Sequence, residues 1–173
     1  AKVFTGQCRL ITLGFRQGGT PGYGLRRQLV DEQNRPKAIL ANGEHKSLQT
    51  DRVVLVAGPA DEVATVRRMY KLFIERSMPE RQIATILNAE GIVTDLGRPW
   101  TRGTVHQVLT NEKYVGHNVY NRRSCKLKRK RIQNGPDSWI RSNGAFEAIG
   151  DQATFDIARR IIAVEPGPGE IDI

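Results

Sequence analysis

Cysteine is scarce in this sequence. Cys8 and Cys125 are the two present, far apart and outside any CxxC pair, so neither a zinc ribbon nor a dithiol redox motif is encoded. Two unpaired thiols in a reducing compartment are expected. Long apolar runs are lacking too: none approaches the ~20 residues that a membrane span requires. The opening segment, AKVFTGQCRL, has no charged head leading into an apolar stretch of the signal-peptide kind. A cytoplasmic, nucleoid-associated protein with no membrane partner is the expectation. Aromatic residues make up 6% of the chain, few for a protein that would stack single-stranded bases on exposed rings, so RNA binding ranks low.

Catalytic constellations are missing as well. His45, His106 and His117 stand isolated, and the chain contains no HExxH, no Walker A loop and no carboxylate cluster suited to two metals. The glycines of Gly18–Gly24 do not fit GxGxxG. Neither a cofactor nor a metal is expected, and no residue is assigned as catalytic.

What the chain has is positive charge and enough apolar residues to fold. Lys and Arg number 27 against 18 Asp and Glu, a net charge of +9. Such an excess attracts polyanions and speeds association with them without specifying a fold. Nucleic acid is the first candidate partner. Hydrophobic residues make up 39% of 173, sufficient for one ordinary domain or two small ones sharing a core.

Val3, Cys8, Leu10, Ile11 and Leu13 suit a short helix, which Gly14 and the stretch Gly18-Gly19-Thr20-Pro21-Gly22 end. Residues 25–57 read as a small antiparallel sheet. Ala38–Leu40, then Asn42-Gly43, then His45–Leu48 predicts a hairpin on a type I′ turn, and Arg52–Val56 predicts a further strand. From Asp61 the period becomes helical: Val63, Val66, Met69, Tyr70 and Phe73 form one stripe over 61–76. Ser77-Met78-Pro79-Glu80 has the form of a capping box before a helix running to Glu90, stopped by Gly91. Another helix starts after Thr101 as N-cap, burying Val105, Val108 and Leu109. Val115–Tyr120 predicts a strand, and Trp139-Ile140 and Phe146–Ile149 could return to the sheet. Asp151–Ala163 predicts a last helix, followed by the turn-rich tail EPGPGEIDI. The fold class is α+β: a small antiparallel sheet with several helices, including a helix-turn-helix-like pair.

Three features point to DNA. The helix pair 79–90 and 101–110 would bury one face of its second helix and leave Arg102, Thr104, His106 and Gln107 to reach base edges in the major groove, with Arg98 and Thr101 flanking them. The run Arg122, Arg123, Lys126, Lys128, Arg129, Lys130 and Arg131 contains no acid. Such a run repels itself and suits phosphate contact from a flexible loop. Arg9, Arg16 and Gln17 before the glycine-rich stretch, then Arg26 and Arg27, could form an arm in a narrow minor groove. An ordinary terminal helix with surface arginines fits that last segment equally well.

Several of these residues together resemble a known family. Gly18-Gly19 followed by Pro21-Gly22-Tyr23-Gly24 resembles the G-G-x-P-x-G-Y opening of the recombinase domain of large serine recombinases. Glu62–Glu75 resembles that domain's next helix. Ile83-Ala84, Leu87-Asn88, Gly91-Ile92, Thr94, Pro99-Trp100, Thr104-Val105, Leu109, Asn111, Tyr114, Gly116 and Tyr120 follow its I-A-x-x-L-N-x-x-G-I-x-T to N-x-x-Y-x-G pattern. The resemblance runs from about Gly18 to Ile162.

The resemblance implies a site-specific recombinase parent, taking part in DNA recombination such as DNA integration through a phosphoserine intermediate, with the nucleophile in a preceding catalytic domain. Residues 1–17 would then be the end of a linker helix from that covalently attached domain, which is missing here. Residues 18–163 would be the DNA-binding domain, and 164–173 a flexible tail. The fragment itself would be non-catalytic, binding double-stranded DNA at an attachment site, and the full-length protein would be homo-oligomeric on DNA. Tyr120-Asn121-Arg122-Arg123-Ser124 has the Y-x-R-x-S form found near the nucleophile of serine recombinases. It opens the basic run with no helix-forming segment behind it, and a nucleophile needs an ordered activating neighbourhood, so it is read as a strand end. The rival reading is a stand-alone helix-turn-helix transcriptional regulator.

Overall fold

The structure, a computed structural model, describes residues 2–46, 48–120, 123–124 and 132–164. Helix α1 (Lys2–Thr12) leads into a three-stranded antiparallel sheet of β1 (Leu25–Val30), β2 (Pro36–Leu40) and β3 (Arg52–Ala57), in the order β2-β1-β3. Helices α2 (Ala60–Glu75), α3 (Glu80–Ala89) and α4 (Arg102–Thr110) follow. A 3-10 turn (Glu112–Val115) then leads to β4 (Asn118–Tyr120), β5 (Arg123–Ser124), β6 (Ile132–Gln133), β7 (Ile140–Ser142) and α5 (Gln152–Val164). β4 pairs with β7 and β5 with β6, both antiparallel.

The apolar stripe of α2 meets the inner faces of α3 and α4 in one core, in which Val66, Met69, Phe73, Ile83, Leu87, Val105, Leu109 and Phe155 are buried. Two tyrosines cross this core with their hydroxyls satisfied by backbone: Tyr70 donates to the Val108 carbonyl and Tyr114 to that of Tyr23. Burial raises both phenol pKa values far above the ordinary one. Trp100 lies edge-on to Tyr23 with ring centroids 5.0 Å apart, and the Asn88 amide brackets its backbone, accepting from the Trp100 N–H and donating to its carbonyl. This clamp ties the end of α3 to the start of α4.

Two glycines are required by close approach. Gly24 has φ +80, and an added Cβ would lie 2.9 Å from Val66 Cγ2. Its carbonyl also accepts from the Gly58 amide, so the chain entering β1 sits directly on α2. Gly116 has φ +88, and a Cβ there would meet the Phe146 carbonyl oxygen at 2.5 Å. Both conformations are ones an L side chain rarely adopts.

Several expectations are corrected. The hairpin over 38–48 does not form. The Asn42-Gly43 turn exists, with Gly43 at φ +81, but β2 pairs backwards with β1 through the loop Asp31–Arg35, in the register Gln28↔Ile39. That loop contains no glycine. The Asp31 carboxylate organises it by accepting from the amides of Gln33 and Arg35, with Asn34 at φ +60. The capping box at Ser77–Glu80 is also absent: Pro79 is the N-cap, and the Glu80 side chain is turned inward to α4 instead. Val115 belongs to the 3-10 turn rather than to a strand. Phe146–Ile149 forms no strand either. Its Phe146 and Ile149 amides donate to the Gly116 and Tyr114 carbonyls, which docks it as a loop with those two side chains buried and Glu147 and Ala148 exposed. Within the segment expected to be one basic loop, Arg123–Ser124 and Ile132–Gln133 pair as strands.

Candidate nucleic-acid interface

Helix α4 is built as the sequence implies at its start and on its inner face. Thr101 accepts from the Thr104 amide and Thr104 reaches back to the Thr101 amide, a reciprocal cap. Val105, Val108 and Leu109 are buried. The four residues expected to point outward divide into two groups. Arg102 and His106 meet at one carboxylate: Glu80, with its side chain 6% exposed, receives Arg102 Nε at 3.3 Å and His106 Nδ1 at 2.6 Å. Both keep about half of their own side-chain surface exposed. Thr104, half-buried in the cap, and exposed Gln107 line a cavity of about 320 Å³ together with Arg98 and Thr101.

That cavity contains a residue the sequence reading missed. Lys113 lines it too. Its pKa is pushed down to about 8, first by burial and then by the nearby Arg16 charge, with Asp95 opposing. Nothing in the local pattern distinguishes Lys113; it becomes significant only because the 3-10 turn folds back beneath Gly22. The Trp100 indole N–H in the same wall has no hydrogen-bond partner.

The arm residues are separated by the fold. Arg9 is exposed on α1 beside a second cleft that also includes Asp31 and Glu32. Arg26 forms a two-pronged pair with Glu62, both contacts at 2.9 Å, which raises its pKa; this guanidinium joins β1 to α2. Arg16, Gln17 and Arg27 come together at a third, small cavity with His45, Lys46 and Arg52, three residues that sequence reasoning did not single out. Their approach follows from strand pairing across tens of residues, for which no local signal exists. Arg122, Lys126, Lys128, Arg129, Lys130 and Arg131 lie outside the described residues, as do Asn121 of the Y-x-R-x-S segment, Cys125 and the tail from 165 on. Arg123 is described only in its backbone, in β5.

The Recombinase family profile matches residues 60–164, more than half of the chain. The chain belongs to the Recombinase family. The match covers α2 to α5 and therefore the whole α3–α4 pair; the glycine-rich opening at 18–24 and the three-stranded sheet precede it. Among curated proteins no significant sequence match is found.

Two solved structures are similar to this Recombinase chain in fold. One is an LSR–DNA complex (LSR, large serine recombinase), with 15% identity and a TM-score of 0.55 over 94% of this chain and 39% of that one. The other addresses the sequence requirements of the Listeria innocua prophage attP site, with 16% identity and a TM-score of 0.55 over 94% of this chain and 52% of that one. The Recombinase chain thus spans about two fifths and about half of these proteins' lengths, and its α+β architecture is theirs.

Proposed function

We propose that this Recombinase chain is the duplex-DNA-binding part of a serine site-specific recombinase, holding the protein on part of an attachment site while a catalytic domain attached before α1 does the chemistry. The observation that carries this reading is the family match across the α3–α4 pair. The two similar structures support it, one of them a DNA complex. α1 would then end the linker from the catalytic domain, residues 18–163 would form the binding unit, and the full-length protein would assemble as an oligomer on DNA. α4 would approach the major groove, with Gln107, Arg98, Arg102 and His106 as the residues within reach of bases or phosphates and Glu80 holding the last two in place. Arg9 and the cations of the 122–131 run would meet backbone phosphates.

The test is equilibrium binding of the purified chain to a random-sequence duplex across a salt series, with single-stranded RNA of equal length alongside. Duplex binding that falls steeply with salt and exceeds RNA binding is the expected outcome, since each neutralised phosphate contributes about 0.9 to the log–log slope. Absence of duplex binding at low salt would sink the proposal.

A further inference from the structure

One row of the three-stranded sheet contradicts its own patterning. Alternate residues of β1 share a face, so Leu25, Arg27 and Leu29 point the same way, and the two leucines are buried. Directly across from Arg27 lie Leu40 on β2 and Leu55 on β3, both buried. A guanidinium thus occupies the centre of an apolar face.

It has company of the same sign. After α1 the backbone docks on the edge of β3, the Arg16 amide donating to the Val53 carbonyl at 2.6 Å. This places the Arg16 side chain beside Arg27, and His45, Lys46 and Arg52 complete the wall of a cavity of about 150 Å³. Among the described residues the cavity lining contains no acid. Asp51, the adjacent carboxylate, is taken up by Lys37 at 2.8 Å. Among the described residues the partners of these cations are backbone carbonyls: Arg16 donates to Thr20, Arg27 to Ala41, and Lys46 and Arg52 to Gln49 and Asp51. The Nε–H groups of both Arg16 and Arg27 are buried without any acceptor. The Arg16 pKa is lowered by burial and by the Arg27 charge, as expected for cations held close without a counter-charge.

Buried donors and charges are ordinarily paired, and an unpaired set calls for an absent partner. That partner must be anionic, compact and rich in acceptors, which describes a phosphate group. We infer that the cavity between the Arg16 arm and the Arg27 row of the sheet is a seat for one phosphodiester group of the bound duplex. The inference rests on the proposed DNA-binding function and adds to it a second anchoring point, on the sheet side of the molecule and built by residues outside the α3–α4 pair. It also accounts for an arginine where the strand pattern calls for an aliphatic residue: the free protein tolerates repulsion that DNA relieves.

The test uses Arg27→Leu, which restores the apolar row, and Lys46→Gln, an exposed change that leaves the core alone. Each is titrated with the random-sequence duplex across salt and melted with and without DNA. The expected result is a log–log salt slope smaller by about 0.9 for each phosphate no longer neutralised, several-fold weaker duplex binding, and a free Arg27→Leu protein that melts no lower than wild type. Folded variants with the wild-type slope would overturn the seat while leaving duplex binding by the wild type intact. Absence of duplex binding by the wild type itself would instead remove the proposed function. Should Arg27→Leu fail to fold, Lys46→Gln decides alone. Inorganic phosphate, compared with chloride at equal ionic strength, separates the two sources of the anion. If phosphate raises the wild-type melting temperature, has no such effect on the variants, and yet the duplex slope does not change, the cavity takes free phosphate and the DNA assignment fails.

Discussion

Glu80 shows how little a residue's local pattern says about its task. Three positions after Ser77 it fits a capping box, yet its carboxylate is buried against Arg102 and His106 on the next helix. A polar group that can leave water only with partners goes where a guanidinium and an imidazole await it, and those partners come from another helix. Lys113 is the converse: a half-buried cation with no carboxylate paired to it among the described residues. Its pKa falls from the ordinary 10.5 to about 8, so between those values the unfolded chain holds a proton that the folded chain has released. Stability should therefore rise with pH across that window, being lowest below pH 8 where the folded state bears the buried charge. Thermal melts from pH 7 to 10 are expected to show this rise. Lys113→Met should raise the melting temperature at pH 7 and flatten the dependence. A variant with the wild-type pH profile would show that the ammonium is well solvated.

Among the elements, α4 is the one whose role the fold most constrains. Its start is closed by a reciprocal Thr101–Thr104 cap and its inner face is fully used by the core, so only Arg102, His106, Gln107 and the flanking Arg98 have side chains available to a ligand. If these side chains read bases, alanine at Arg102, His106 or Gln107 will weaken binding to a selected target far more than binding to random duplex, by about 1–3 kcal/mol where a base-edge hydrogen bond is removed entirely. Thr104→Ala is expected to act mainly on helix stability, by removing the hydroxyl that accepts from the Thr101 amide while the Thr101 cap itself stays, at a cost of roughly 1 kcal/mol. Equal weakening on selected and random duplex would move base reading away from α4. Elements also account for the misreadings. The Asn42-Gly43 turn is real, but β2 pairs with the strand behind it rather than ahead of it, β1 partnering it from Arg27↔Leu40 to Val30↔Pro36 with one irregularity after Leu29.

At the scale of the whole molecule, the question is where the surplus charge goes. Carboxylates engage Arg26, Arg35, Lys37, Arg68, Arg141 and Arg159. Glu112 alone holds Arg141 and Arg159, joining β7 and α5 to the 3-10 turn. These cations work as structural ties. The cations proposed to meet a polyanion are those of the arm cavity, those around α4, and the run from Arg122 to Arg131. Replacing the lysines of that run, Lys126, Lys128 and Lys130, by Gln is expected to lower the duplex salt slope in proportion to the number of phosphates they neutralise, with little change in target preference. An unchanged slope would leave the run as surface.

What depends on neighbours along the chain is legible in the order of its residues: the helical period of α2, the Thr101 cap, the apolar face of α4, the excess of positive charge, and the ordered motif by which 18–162 resembles serine recombinases. The family profile reaches the same family through residues 60–164. Which cations are free is settled by folding. Arg26 and Arg27 are adjacent in sequence, yet one points to Glu62 and the other to the acid-free cavity with Arg16. Successive strand residues face opposite sides, and what waits on each side is supplied by segments tens of residues away. Charge is a property of composition, but its availability is a property of pairing, and pairing is settled only when the chain has folded.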